Sequence, residues 1–83
     1  MRQYPPGKPP IVEVEWYDAC SNHGWYDTNT LKKLELVVMW TVGYMLRRNR
    51  RVIVLAQAVS DYAKYSELWI VPMATVKRVR RLK

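Results

Sequence analysis

Hydrophobic and polar positions alternate along residues 11–17 of the chain. One side of this extended segment carries Val12, Val14 and Trp16, and the other carries two glutamates and a tyrosine. A period of two with β-branched residues predicts a half-buried β-strand. The pattern stops at residues 18–29, which are polar and predict a loop.

Residues 36–46 form the longest nearly apolar stretch. Its β-branched content predicts a long strand that is buried on much of both faces. Of the strand tryptophans Trp16, Trp40 and Trp69, we expect most to lie in the core. Gly43 predicts a bulge or bend within this strand. The basic segment 47–51 predicts the tip of a hairpin, with Asn49 as the residue best able to adopt a positive φ.

Residues 51–59 and 67–71 predict the third and fourth strands, and Pro72 ends the fourth because proline cannot donate to a sheet ladder. Residues 76–83 leave two interpretations open. A hydrophobic side chain at every third position suits a helix, whereas a 3₁₀ turn at residues 73–75 followed by an edge strand suits the same segment.

Thr30 is placed to cap a short helical turn over residues 30–34. With this turn, the order of elements predicts an all-β fold, a small five-stranded barrel of the SH3-like or Sm-like kind. The 83 residues permit one domain, which we place at residues 11–83 behind a proline-rich N-terminal arm at residues 1–10. The edge strands of such a barrel predict a homo-oligomer.

Several short segments resemble small uncharacterised proteins encoded by phages and prophages: VEWYD at 14–18, GW at 24–25, TVGY at 41–44, RVIVLAQ at 51–57 and IVP at 70–72. The resemblance covers most of residues 11–82. It implies a compact barrel and supplies no catalytic residues. Small phage proteins of this kind include nucleic-acid binders and counter-defence proteins that sequester nucleotide immune signals, so the resemblance implies either function.

No nucleophile elbow, glycine-rich phosphate loop or HExxH zinc-protease sequence is present. The single Cys20 and the single His23 share one loop, where a catalytic pair would still need hydrogen-bond geometry and an oxyanion site. Asp18 and Asp27 could join them as zinc ligands, but we expect this loop to cap its own backbone amides. The sequence therefore predicts a protein that is not an enzyme and that holds no cofactor or metal.

One cysteine fits a reducing compartment, and the polar N-terminus has no secretory signal. The longest apolar run is too short to span a bilayer, and the apolar face of residues 76–82 is too small for strong insertion into one. We predict no membrane partner and a cytoplasmic location, which for a phage-encoded protein is the host cytoplasm.

The positive charge lies in the second half of the chain. The formal net charge is +7, and residues 47–83 hold ten of the fourteen basic side chains. The planar guanidinium of arginine binds phosphate bidentately and stacks on bases. The predicted ligand-binding cations are Arg47, Arg48, Arg50, Arg51, Arg78 and Arg80.

Aromatic side chains in polar loops can complete an anion site by stacking on bases. The candidates are Trp25, Tyr26, Tyr62 and Tyr65, which would serve equally well as anchors of a subunit interface. The sequence predicts a binding protein that captures a nucleotide-class small molecule, such as a host signalling nucleotide sequestered between subunits. The alternatives are DNA or RNA binding along a basic face, and a structural or interaction role.

Overall fold

The computed structural model describes residues 8–18, 24–62 and 64–82. Five strands account for most of them: β1 (Ile11–Asp18), β2 (Val37–Arg48), β3 (Val52–Val59), β4 (Tyr65–Pro72) and β5 (Val76–Arg81). A short helix, α1 (Thr28–Leu31), precedes β2, and a 3₁₀ turn (Met73–Thr75) joins β4 to β5. The predicted five-stranded all-β fold is confirmed, and the last segment is a strand rather than a helix.

The strands form one antiparallel sheet in the order β4-β3-β2-β1-β5. β2 is the strand that both halves of the sheet share. Its residues 37–44 pair with β1, whereas only residues 44–48 pair with β3. Because β3 leaves β2 halfway along its length, the sheet curls instead of lying flat.

The curled sheet encloses one small core. The buried hydrophobic side chains of the core cluster come from three strands: Val12, Val14, Trp16, Ile53, Leu55 and Val71. Trp16 of β1 packs edge-to-face on Trp69 of β4, with ring centroids 6.3 Å apart. These two strands are separated by two others in the sheet order. The contact therefore shows that the sheet folds back over its own inner face.

Gly43 allows β2 and β3 to approach closely where they diverge. A Cβ atom added to Gly43 would lie 2.9 Å from the backbone oxygen of Ala56 and 3.2 Å from the Cβ of Leu55. The predicted irregularity in β2 is present as a register shift between Met45 and Arg47, just beyond this glycine. Gly43 supplies the space, and the bulge supplies the local twist.

Two turns are capped differently from the prediction. Helix α1 begins at Thr28 instead of Thr30, because Asp27 is the N-cap and its Oδ1 accepts from the Thr30 amide at 2.8 Å. The prediction that Asn49 adopts a positive φ is wrong, since Glu67 (φ 56°) is the non-glycine residue with a positive φ in the described part of the chain. Asn49 instead closes the hairpin through its side chain.

Candidate functional site

The β2–β3 hairpin tip presents four arginines to solvent. Arg47 and Arg48 end β2, and Arg50 and Arg51 lie in the turn that follows. The Asn49 Oδ1 accepts from the amides of residues 51 and 52 at 2.8 and 3.0 Å, which holds the turn in place. Among residues 8–18, 24–62 and 64–82, no acidic side chain forms an ion pair with these arginines. Their charge is therefore available to an external anion.

Three of the four cations of β5 are held in place by two glutamates of β1. Arg80 Nη2 lies 3.2 Å from Glu13 Oε1, and Arg78 Nη2 lies 3.3 Å from Glu15 Oε1. Lys77 Nζ reaches Glu15 Oε2 at 3.3 Å. Three cations face two carboxylates, so this part of the sheet keeps a net positive charge while its arginines are fixed in orientation.

Glu15 organises this group of charges. Burial alone would raise the pKa of Glu15, but the hydrogen bond and charge of Lys77 and the charge of Arg78 lower it, with a further hydrogen bond from the Trp40 side chain. The net result is a pKa below the ordinary value for glutamate. Glu15 is therefore ionised at neutral pH and holds donors from β2 and β5 together.

Trp40 is 60% exposed and Trp69 is 42% exposed, so the expectation that most of the three strand tryptophans lie in the core is wrong. For Trp40, the reason is the register of β2. Thr41 is buried because it pairs with Val14 and accepts the Trp16 indole N–H at 3.0 Å, and Gly43 faces the same inner side. Trp40 is the neighbour of Thr41 and must point to the outer face, since side chains alternate along a strand.

An outer row of β2 side chains begins at Trp40 and continues with Val42, Tyr44 and Arg47. Val42 is exposed, and Lys8 Nζ lies 5.7 Å from the centroid of the Tyr44 ring. Tyr44 pairs with Ala56, and Arg47 pairs with Val54. These two β3 residues are two positions apart, so their side chains lie on the same face of the sheet. The bulge between Met45 and Arg47 thus brings an arginine onto the face that carries the aromatic side chains.

Beside the start of the outer row lies a cleft of about 160 Å³. Its lining comes from three neighbouring strands and consists of Glu13, Glu15, Trp40, Arg78 and Arg80. An exposed indole face, two oriented guanidinium groups and two carboxylates are therefore collected in one concave place. This combination can stack a flat ring and form hydrogen bonds to its edge.

The predicted loop aromatics lie away from the hairpin arginines. Trp25, which is fully exposed, and Tyr26 are in the segment before α1, at the Val37 end of β2. Ten residues of strand separate Val37 from Arg47, about 33 Å at the rise of an extended chain. Tyr62 lies in the β3–β4 turn, but Tyr65 is the first residue of β4 and not a loop residue as predicted; both are at the far end of this hairpin, about 23 Å along β3 from its start. The single chain does not assemble these aromatics around the arginine tip.

Of the four candidate catalytic or metal-ligating residues, two lie in the part of the chain that the structure describes. Cys20 and His23 lie outside the described residues. Asp18 ends β1, and Asp27 caps α1, where backbone and side-chain hydrogen bonds from Thr30 lower the pKa of its carboxyl group. Within the described residues, no group of three potential ligands stands close enough to hold a metal ion. The same residues contain no helix with the length and apolar character needed to cross a membrane.

Sequence reasoning missed Trp40, Tyr44 and Glu13. The sequence shows that residues 40, 42 and 44 lie on one face of the strand and that Thr41 and Gly43, which are buried in the structure, lie on the other. Both parities of β2 are apolar or small, so the pattern did not show which side faces the core.

Comparison with known proteins gives no relative. No family model, curated protein or solved structure matches the chain. The resemblance to phage-encoded proteins and the SH3/Sm-like classification stay predictions.

Proposed function

We propose that this protein binds single-stranded nucleic acid along the outer row of β2. The observation that carries the proposal is the exposed indole of Trp40 in one row with Tyr44 and Arg47. Arginines at the hairpin tip bind phosphates, and Trp40 stacks on a base. Aromatic side chains interleaved with cations are the usual means by which proteins hold unpaired strands.

The length of the outer row favours a polynucleotide over a mononucleotide. Trp40 and Arg47 are seven residues apart on one strand, about 23 Å along the chain. A ligand that touches both must extend over several successive nucleotides. A base stacked on an aromatic side chain contributes about 1–3 kcal/mol, and each phosphate contact adds an electrostatic contribution that salt weakens.

A small nucleotide is the second candidate ligand. The cleft beside Trp40 has two arginines with side chains more than 60% exposed, which could bind a phosphate next to a stacked base. Sequestration of a signalling nucleotide would use this cleft without the hairpin tip. The two ligands are therefore distinguished by whether the hairpin arginines contribute to binding.

The test is fluorescence anisotropy with a labelled single-stranded oligonucleotide of about 12 nucleotides, a length within the usual site sizes. We expect Trp40→Ala to weaken binding about 5-fold to 150-fold, which corresponds to the loss of one base stack. Trp25→Ala is the matched control, because Trp25 is also exposed but lies outside the outer row. Equal affinity of wild type and Trp40→Ala, or a loss confined to Trp25→Ala, would overturn the proposal.

A further inference from the structure

The two carboxylates of the cleft beside Trp40 differ in how many donors they already receive. Glu15 forms ion pairs with Lys77 and Arg78 and accepts a hydrogen bond from the Trp40 side chain, and its own side chain is 11% exposed. Glu13 makes one ion pair, from Arg80 to its Oε1, and its side chain is 27% exposed. No other described residue donates a hydrogen bond to Glu13. Glu13 thus keeps acceptor capacity that points to a ligand.

Glu13 and Arg80 together present an acceptor next to a donor. An ionised carboxylate only accepts hydrogen bonds, and a guanidinium only donates them. Glu13 pairs with Val42 across β1 and β2, and the nearby Glu15 pairs with Trp40, so the carboxylate and the indole border the same cleft. A ring stacked on Trp40 would therefore meet the Glu13 and Arg80 side chains at its edge.

We propose that the cleft prefers guanine among the bases, with Glu13 as the residue that determines this preference. The inference rests on the proposed function, because it assigns a base to the same stacking site. The Watson–Crick edge of guanine offers two neighbouring N–H donors and one carbonyl acceptor. The donors match the Glu13 carboxylate, and the carbonyl matches the Arg80 guanidinium.

The other bases fit this edge less well. Thymine and uracil have one N–H donor between two carbonyl oxygens. A carboxylate that accepts from this donor would be repelled by the lone pairs of the two oxygens. Adenine and cytosine each offer one amino donor beside a ring nitrogen acceptor, so one oxygen of Glu13 would face a lone pair. A good bidentate contact distinguishes bases by about tenfold or more in affinity.

The experiment compares oligothymidylate with oligonucleotides of the same length that carry one central guanine, adenine or cytosine. We expect wild type to bind the guanine oligonucleotide about tenfold more tightly than oligothymidylate. Glu13→Gln keeps the side-chain shape and an acceptor for Arg80 but replaces the second acceptor with a donor. It should reduce the preference to less than about twofold while oligothymidylate binding persists. Glu35→Gln, in the loop before β2, is the matched control and should retain the preference.

The outcomes separate the two proposals. If wild type binds all four oligonucleotides equally and Trp40→Ala weakens each, the guanine inference is wrong and the proposed function stands. If Trp40→Ala weakens the binding of none of the oligonucleotides, both the proposed function and the guanine inference are wrong. Should Glu13→Gln fail to fold, competition on wild type replaces it: guanosine monophosphate must displace the bound oligonucleotide at lower concentration than uridine monophosphate. Equal displacement by the two would also overturn the inference.

Discussion

At the scale of single residues, two tryptophans on neighbouring strands have opposite environments. Trp16 is buried, donates its indole N–H to Thr41 Oγ1 at 3.0 Å and packs on Trp69. Trp40 is exposed and reaches the charged group around Glu15. The polar end of the buried tryptophan is satisfied inside the core, and this is why Thr41 can occupy a buried position.

Thr41→Val tests this pair. The change keeps the shape of the side chain but removes the acceptor, so the buried indole N–H of Trp16 is left without a partner. We expect the free energy of unfolding to fall by about 1–3 kcal/mol, measured by urea denaturation. In a Trp16→Phe background the same substitution should be nearly neutral, because no indole N–H remains. An equal decrease in both backgrounds would contradict the assigned hydrogen bond.

At the scale of elements, β2 determines the shape of the molecule. It pairs with β1 along its first part and with β3 along its last, and Gly43 lies near the point of change. Only a residue without a Cβ fits at position 43 so close to the Ala56 carbonyl oxygen, and the sheet bends so that Trp69 packs on Trp16. The same strand carries the outer row, so the bend and the proposed binding surface depend on one element.

Gly43→Ala tests the close approach of β2 and β3. The added methyl group would lie 2.9 Å from a backbone oxygen, which cannot rotate away as a side chain can. We expect a destabilisation of about 1–3 kcal/mol from overpacking, measured as a lower urea midpoint with an unchanged slope. Val42→Ala, at the adjacent exposed position, is the comparison and should cost clearly less. An unchanged midpoint for Gly43→Ala would contradict the close approach of the two strands.

At the scale of the whole molecule, the two basic segments have different roles. Three of the four cations of β5, Lys77, Arg78 and Arg80, pair with glutamates of β1, whereas the hairpin arginines have no such partner among the described residues. The hairpin tip is therefore the part of the surface from which the proposed nucleic-acid binding should gain most of its salt dependence. The predicted homo-oligomer stays a prediction, and the open edge of β4, with Leu68 and Ile70 exposed, is a surface suited to it.

The double variant Arg47→Gln/Arg50→Gln tests the hairpin charges. We expect weaker binding of oligothymidylate and a salt slope that is shallower by about 0.7 for each phosphate that the variant no longer neutralises. Lys32→Gln/Lys33→Gln removes the same charge from the segment after α1 and should leave the slope nearly unchanged. Equal slopes for the two double variants would mean that net charge, and not the hairpin, determines affinity. Anisotropy measured across a salt series provides the comparison.

Much of this architecture was visible in local patterns. The order of elements could be predicted from features that each depend on a few neighbouring residues. These features are the alternation in β1, the end of β4 at Pro72 and the 3₁₀ turn at residues 73–75. The basic hairpin was visible for the same reason. The proposed binding site was not, since its parts come from three strands that are distant in sequence.

Local sequence was sufficient for the first four strands, their order along the chain and the concentration of positive charge in the second half, but it left residues 76–83 open between a helix and a strand. Three-dimensional pairing was needed to know that Trp40 points outward, that Glu13 and Glu15 hold Arg80 and Arg78, and that the loop aromatics lie far from the hairpin. The physical reason is that alternation shows which residues share a face but not which face is covered. Which face is covered and which charges pair both depend on the register between strands, and residues paired in this sheet lie up to 69 positions apart in the chain.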